Sequence, residues 1–179
     1  MQIREEWFKL EVKMGFRKAK FEDIDTVLKI IKDAKEHLKN SGLSQWQGDY
    51  PDRITIEEDI EEEIGYVLSI DDIIKGYVVV DFIDDEIYRD IKGKWKTDGL
   101  YASIHRIAID SSCRGMGYGS EFFKFAEKVA LEKGVFSVRV DTDPKNLTMK
   151  HLFEKNGYEY CGTVFIEGEK IAYEKVLKR

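Results

Sequence analysis

The chain is poor in the residues that staple or punctuate small folds. It has two cysteines, Cys113 and Cys161, and two prolines in 179 residues. Two thiols make no disulfide framework, and no Cys-x-x-Cys or Cys/His cluster marks a zinc site, so no metal is expected. Three histidines are present, which limits the imidazole chemistry to a few positions. No apolar run approaches the roughly 18 residues that a membrane span needs. The opening stretch MQIREEWFKLEVKM has no uncharged apolar core and reads as no signal peptide. A basic excess is missing too. The net charge is −6, the reverse of what a nucleic-acid face requires. The expectation is a soluble, cytoplasmic protein that binds neither membrane nor nucleic acid, with a charge suited to a cationic substrate.

What the chain does have is a globular composition. It is 42% hydrophobic and 12% aromatic, and its length suits one self-sufficient core. Phe8, Leu10, Val12 and Met14 alternate with charged residues, a strand pattern running on toward Gly15, a possible bulge. Ile24, Val27, Leu28, Ile31 and Leu38 follow at helical spacing and Gly42 ends them. Thr55 and Glu58 read as a capping box for a short helix. The run Glu57 to Glu63 reads as a solvated face of that helix. YVLSI and IIKGYVVVDF form a strand pair turning at Asp71-Asp72, and Asp84 to Gly99 reads as a loop. YASIHRIAI is a strand. The helix around Phe122, Phe125, Ala126 and Val129 stops at Gly134. VFSVRVD is a strand, Leu147 to Lys155 a short helix with Gly157 after it, and two strands close the chain around Glu167-Gly168. The class is α/β, in the layered α+β sense.

The segment SSCRGMGYGSEFF packs three glycines into five positions between a strand and a helix. A phosphate-binding loop of the G-x-x-x-x-G-K-[ST] type needs a lysine that is absent after Gly119. A dinucleotide fingerprint needs a glycine where Ser120 stands. The chemistry still suits an anion, because amides at a helix start and the helix dipole favour negative charge, and Arg114 adds a full positive charge. Taken alone, the segment reads equally as a Gly-rich turn that only starts a helix.

Arg114-Gly115-Met116-Gly117-Tyr118-Gly119 resembles the R/Q-x-x-G-x-G/A signature of the GNAT family of N-acetyltransferases. HRIAID before it, VDTDPKN and HLFEKNGY after it resemble further stretches of that family. The resemblance covers about residues 14 to 177 in element order and is specific over 104–158. It implies a mixed, centrally splayed sheet flanked by helices, with residues 1–13 as an N-terminal strand extension to a single domain over 14–179. It implies acetyl-CoA as cosubstrate. The loop amides of Gly115, Met116, Gly117, Tyr118, Gly119 and Ser120, with Arg114, would bind the pyrophosphate. The backbone of Ile107, Ala108 and Ile109 would pair with the pantetheine amides. Asn146 matches an asparagine that contacts the cofactor arm, and it also reads as a helix N-cap. Phe153 stands where many relatives carry a tyrosine acid, and it is counted with the cofactor-facing residues.

The implied activity is acetyl transfer to a primary amine by direct attack. His105 is the first candidate base, at the offset used by arylalkylamine acetyltransferases, and it reads equally as a core histidine. Asp141 is the second, where ribosomal-protein N-terminal acetyltransferases carry a glutamate; with Asp143 it would make a negative pocket for a cation. Either Tyr158, Tyr173 or water protonates the thiolate in place of a tyrosine at Phe153, or the thiolate leaves unassisted. Trp46, Tyr50, Tyr88 and Trp95 would flank the acceptor, or pack loops. The acceptor is read as a small amine first and a protein N-terminus or lysine second. The reading from another class is an acyl-CoA-binding module without turnover. A homodimer is expected from the N-terminal strand, since an exposed edge invites pairing.

Overall fold

The computed structural model describes residues 11–178. The Phe8 and Leu10 half of the expected N-terminal strand lies outside them. Within them, Val12 is not in a strand, and strand β1 is Met14–Lys18. Gly15 is not a bulge: it pairs in register with Ser69.

Helix α1, Ile24–Asn40, forms where the apolar spacing predicts, burying Ile24, Val27, Ile30 and Ile31. Gly42 follows it at φ +76°, a left-handed stop that a side chain would strain. Helix α2 is Arg53–Glu61, beginning before the expected capping box. The cap is Asp52, whose carboxylate accepts from the Thr55 amide at 2.9 Å. Asp outranks Thr at this position because its carboxylate also favours the positive end of the helix dipole.

Strands β2, Gly65–Ile70, and β3, Ile73–Asp81, meet at Asp71 and Asp72, both at positive φ. That pair of left-handed residues gives the turn a twist matching the two strands. The stretch expected as a loop contains a four-residue helix α3, Glu86–Arg89, and a two-residue strand β4, Lys92–Gly93. Then come β5, Ala102–Ile109, α4, Gly119–Glu132, β6, Ser137–Thr142, α5, Leu147–Lys155, β7, Glu159–Phe165, and β8, Glu169–Val176.

The described strands form one eight-stranded sheet in the order β1-β2-β3-β5-β6-β8-β7-β4. Every pairing is antiparallel except β5 with β6. Helices α4 and α5 cover one core, with Phe122, Phe123, Ala126 and Phe153 enclosed against Leu68, Val78 and Val138. Helices α1 and α2 cover a second, with Ile31 and Ile56 against Val67 and Tyr77. A third gathers Tyr88, Trp95 and Tyr101 against β7 and β8. No helix among the described residues is long and apolar enough to cross a membrane.

Candidate active site

The one parallel pairing is also the shortest in the middle of the sheet. β5 and β6 pair only at Ala102 with Val138 and Ser103 with Arg139. Beyond that point β6 stays with β8 through Thr142, while β5 stays with β3 through Ile109. The strands therefore part, and the main-chain groups of β5 that face β6 have no ladder partner there. This is the splayed centre expected from the resemblance.

Within the parting, β5 carries a bulge. His105 pairs with Val79 and Ala108 with Tyr77, so Arg106 and Ile107 together oppose Val78. Arg106 sits at φ +54°, a conformation that strains a side-chain-bearing residue by roughly 1–2 kcal/mol. Its guanidinium Nη2 donates to Asp59 Oδ1 at 2.8 Å, and Tyr77 Oη donates to Asp59 Oδ2 at 2.8 Å. Asp59 is 2% exposed. This corrects the reading of Glu57 to Glu63 as a uniformly solvated face. Burial pushes the Asp59 carboxyl above its ordinary value, against the Arg106 charge and the Tyr77 hydroxyl.

The glycine loop lies just past the end of β5. Gly115 and Gly117 have φ of +73° and +86°, and a methyl group built on either would meet nothing within 4 Å. Glycine is needed there for backbone conformation, and the hollow is open. Gly119 differs, because a Cβ would press on Leu152 at 3.1 Å. The loop enters the 14-residue helix α4, where the Glu121 amide bonds to the Tyr118 carbonyl at 3.0 Å and the amides of Gly119 and Ser120 come before it. Arg114 Nη2 is buried without a hydrogen-bond partner. An orphaned guanidinium donor at the head of a glycine loop that opens a helix fits a pyrophosphate, which supplies acceptors to the guanidinium and to backbone amides. Ser120 Oγ accepts from Asn156 Nδ2 at 3.1 Å, which fixes the first turn of α4 against α5. Ile107 and Ile109 pack against the α4 core, and Ala108 is buried on the α1 side.

Asn146 caps α5, accepting from the Met149 amide at 3.1 Å. Its Nδ2 donates to Gln45 Oε1 at 3.1 Å, tying the loop after α1 to α5. Phe153 is 1% exposed, its ring edge-on to Phe123 and close to Tyr173. It lies inside the core, so a contact with a bound cofactor would need the core to open. Tyr158 and Tyr173 direct their hydroxyls at Glu127 and Glu154, at 3.2 and 3.4 Å.

His105 and Asp141 stand on the two strands that part. His105 Nε2 lies 2.9 Å from Ser103 Oγ. Burial pushes its imidazole below the ordinary value, and the Asp141 charge is the largest effect opposing that. His105 and Ser103 line a cleft of about 500 Å³ that opens to solvent, with Asp81, Asp84, Asp85, Glu86 and Arg89 around it. Arg89 is paired with Asp84 at 2.8 Å, so acids dominate the lining. Asp141 Oδ2 accepts from Tyr88 Oη at 2.6 Å. Asp143 does not add a free charge beside Asp141, because Lys170 lies 3.6 Å from it.

The aromatics expected to flank the acceptor separate. Tyr88 and Trp95 are buried packing groups of the third core, joined by a bond from Trp95 Nε1 to the Tyr88 carbonyl at 2.7 Å. The Arg139 guanidinium lies over Trp95 and Tyr101 at 4.3 and 4.0 Å. Trp46 packs against the α1 core. Tyr50 is half exposed with Arg106 5.6 Å from its ring. His37 and His151 are exposed. The sequence reading missed Asp59, Arg106, Tyr77 and the acids of the cleft, whose partners are far away along the chain.

Comparison with known proteins agrees with this geometry. The model of the acetyltransferase (GNAT) family matches residues 28–158. A GNAT-family acetyltransferase from Streptococcus agalactiae is 34% identical over 93% of this chain and 96% of its own, with a TM-score of 0.86. A ribosomal-protein-alanine N-acetyltransferase from Brucella melitensis, 19% identical over 91% of this chain and 99% of its own, shares the fold at a TM-score of 0.66. Streptothricin acetyltransferase of Escherichia coli is 31% identical over 81 residues, 45% of this chain. That match spans 46%, about half, of the relative's own length. With its family signature matched over most of its length and its whole fold superposed on a member one-third identical, this chain belongs to the GNAT family of N-acetyltransferases.

Proposed function

We propose that this protein moves the acetyl group of acetyl-CoA onto the primary amine of a small cationic acceptor. The observation that carries the reading is the arrangement along β5: an acid-lined cleft at His105 and an anion-suited glycine loop just past Ile109. One strand thus serves a cation and an anion at two points a few residues apart. The curated relative that matches is named for a small-molecule acceptor, streptothricin, which supports the same class.

GNAT enzymes use acetyl-CoA, which supplies an acetyl group activated as a thioester. In this chain Arg114 and the amides of Gly115 to Ser120 would hold the pyrophosphate. The parted edge of β5 at Ile107, Ala108 and Ile109 would receive the pantetheine amides, as an added strand would be received. Asn146, with Oδ1 on the Met149 amide and Nδ2 on Gln45, would reach the cofactor arm only by exchanging one of these bonds.

An alkyl ammonium has a pKa near 10, so it must lose a proton before its nitrogen can attack. The carboxylates of the cleft would concentrate and orient the ammonium. His105, kept neutral by burial, is a base ready at neutral pH, and Asp141 would stabilise the imidazolium that forms. The new bond is amine nitrogen to acetyl carbon, and the bond that breaks is carbon to sulfur. Two protons leave the nitrogen on the way from ammonium to amide. The one lost before attack is released to solvent, and the one lost after attack is taken by His105 and passed to the departing sulfur. No side chain needs to carry the acetyl group.

The cleft opens to solvent, which also suits an acceptor at the end of a peptide. Thiol release from acetyl-CoA, assayed with polyamines, arylalkylamines, amino acids, aminoglycosides and short peptides, tests the reading. Release with a small cationic amine is expected. Release with peptides alone would replace it with the protein-acetylating alternative.

A further inference from the structure

We propose that Tyr88 is a positioning residue for the reaction: its hydroxyl holds Asp141 in the orientation from which Asp141 acts on His105 and the acceptor ammonium. This rests on the acetyl-transfer reading above.

The geometry starts with how firmly the phenol is held. Tyr88 lies on α3, and Asp85 caps that helix by accepting from the Ile87 amide at 2.9 Å. The residue is wholly buried, its ring 5.1 Å from that of Trp95 and 5.9 Å from that of Tyr101. Its carbonyl is held by Trp95 Nε1. A phenol packed on both sides has one available direction for its hydroxyl, and that direction is Asp141 Oδ2, at 2.6 Å.

Asp141 sits where β6 has lost β5 and keeps only β8, paired at Ala172. A carboxylate on a one-sided strand end has rotational freedom unless something fixes it. With Oδ2 taken by Tyr88, Oδ1 is the oxygen left for a further partner. Burial and the Asp141 charge both push the phenol far above its ordinary value, so Tyr88 remains a donor. The charges that bear on His105 are Asp141 on β6, Arg106 on its own strand, Asp81 on β3 and Asp85 ahead of α3. His105 and Asp141 each lie two residues past the last paired residues, Ser103 and Arg139, so imidazole and carboxylate stand at the same level of the two strands where these part.

A hydroxyl that merely satisfied itself in the core would make the same bond. The two roles differ in what removal does to His105. The test uses Tyr88→Phe, Asp141→Asn and the double variant in the full chain. The His105 ring is followed by NMR across a pH titration, and kcat and KM are measured with the best amine. Tyr88→Phe keeps the ring and its packing. We expect it to move the His105 midpoint by about half a pH unit or more, and to lower kcat about 10-fold while KM stays within about two-fold. On the Asp141→Asn background the same change should move nothing further, because its effect passes through Asp141.

An unchanged His105 titration in Tyr88→Phe overturns the proposal. So does a Tyr88→Phe effect that persists in full on the Asp141→Asn background. Should the Phe variant not fold, uniform 3-fluorotyrosine labelling makes the phenols stronger donors. It should then shift His105 in the native sequence and not in Asp141→Asn. The acetyl-transfer reading fails separately, by an absence of thiol release from every amine while the NMR coupling stands.

Discussion

Arg106 Nη2 donates to Asp59 Oδ1 at 2.8 Å, across 47 residues, and this pair ties the bulge of β5 to α2. The bond lies one residue beyond His105, so the strained backbone at Arg106 and the placement of the imidazole depend on the same contact. Breaking one side of a buried pair leaves the other charge uncompensated. Asp59→Ala should therefore lower stability by roughly 3–5 kcal/mol, read from the urea midpoint. Asp59→Leu with Arg106→Met should recover much of that loss, because no buried charge remains. A double variant no better than Asp59→Ala alone would show that the bulge needs the ion pair itself.

The glycine loop makes a prediction that separates binding from folding. Gly117 stands at φ +86° with open space where a side chain would point. Gly117→Ala should raise the KM for acetyl-CoA about 10-fold or more, since the methyl group enters the anion hollow and the loop resists its conformation. The Tm should fall by no more than about 5 °C, because the same change touches no packed atom. A KM unchanged in this variant would remove the loop from the cofactor site.

With His105 as the proposed base, the acid side of the rate profile should follow its imidazole. Its imidazole is pushed down by burial, so the neutral, base-competent form persists below the usual range. Activity is then present above the folded pKa and lost as pH falls through it. The acidic limb of kcat/KM should have its midpoint below about 6.5. Asp141 opposes the shift, and Asp141→Asn should move the limb further toward acid. A limb that moves toward alkaline pH in that variant would contradict the pairing of the two residues.

Asp23 provides a stability readout far from the site. Arg17 donates to both of its oxygens, at 2.7 and 2.9 Å, and holds the carboxyl below its ordinary value. A carboxylate with a lowered folded-state pKa adds stability that is present above its unfolded value and lost as pH falls through the folded one. Asp23→Asn should therefore lower Tm at neutral pH, and the gap to the native sequence should close as pH falls through the lowered folded-state pKa, below the ordinary carboxyl range. A gap that stays constant across this range would assign the loss to packing.

Local patterns were legible in the sequence and distant pairings were not. The turn at Asp71 and Asp72, the helix Leu147–Lys155 and the loop from Arg114 to Ser120 each depend on neighbouring residues, so a short window contains their cause. Helix α3 was missed because four residues are too few for a periodic signal. The start of α2 was misread because both Asp52 and Thr55 are capping residues, and only the fold shows which amide meets which oxygen. Asp59 hides in a run of acids that otherwise meets water, and its burial is decided by Arg106 and Tyr77 on other elements. In the sequence Tyr88 stands out by its ring, as a wall for an acceptor. The property that matters is its hydroxyl on Asp141, 53 residues away, which no spacing rule reveals.

The measurement that bears most directly on the account is a competition. The protein is given acetyl-CoA with an equimolar mixture of spermidine and a short peptide with a free N-terminus, and the products are identified by mass. The account predicts acetylated spermidine as the main product, with one CoA thiol released per acetyl group transferred. Acetylated peptide as the main product, or no product from protein that binds acetyl-CoA, would contradict it.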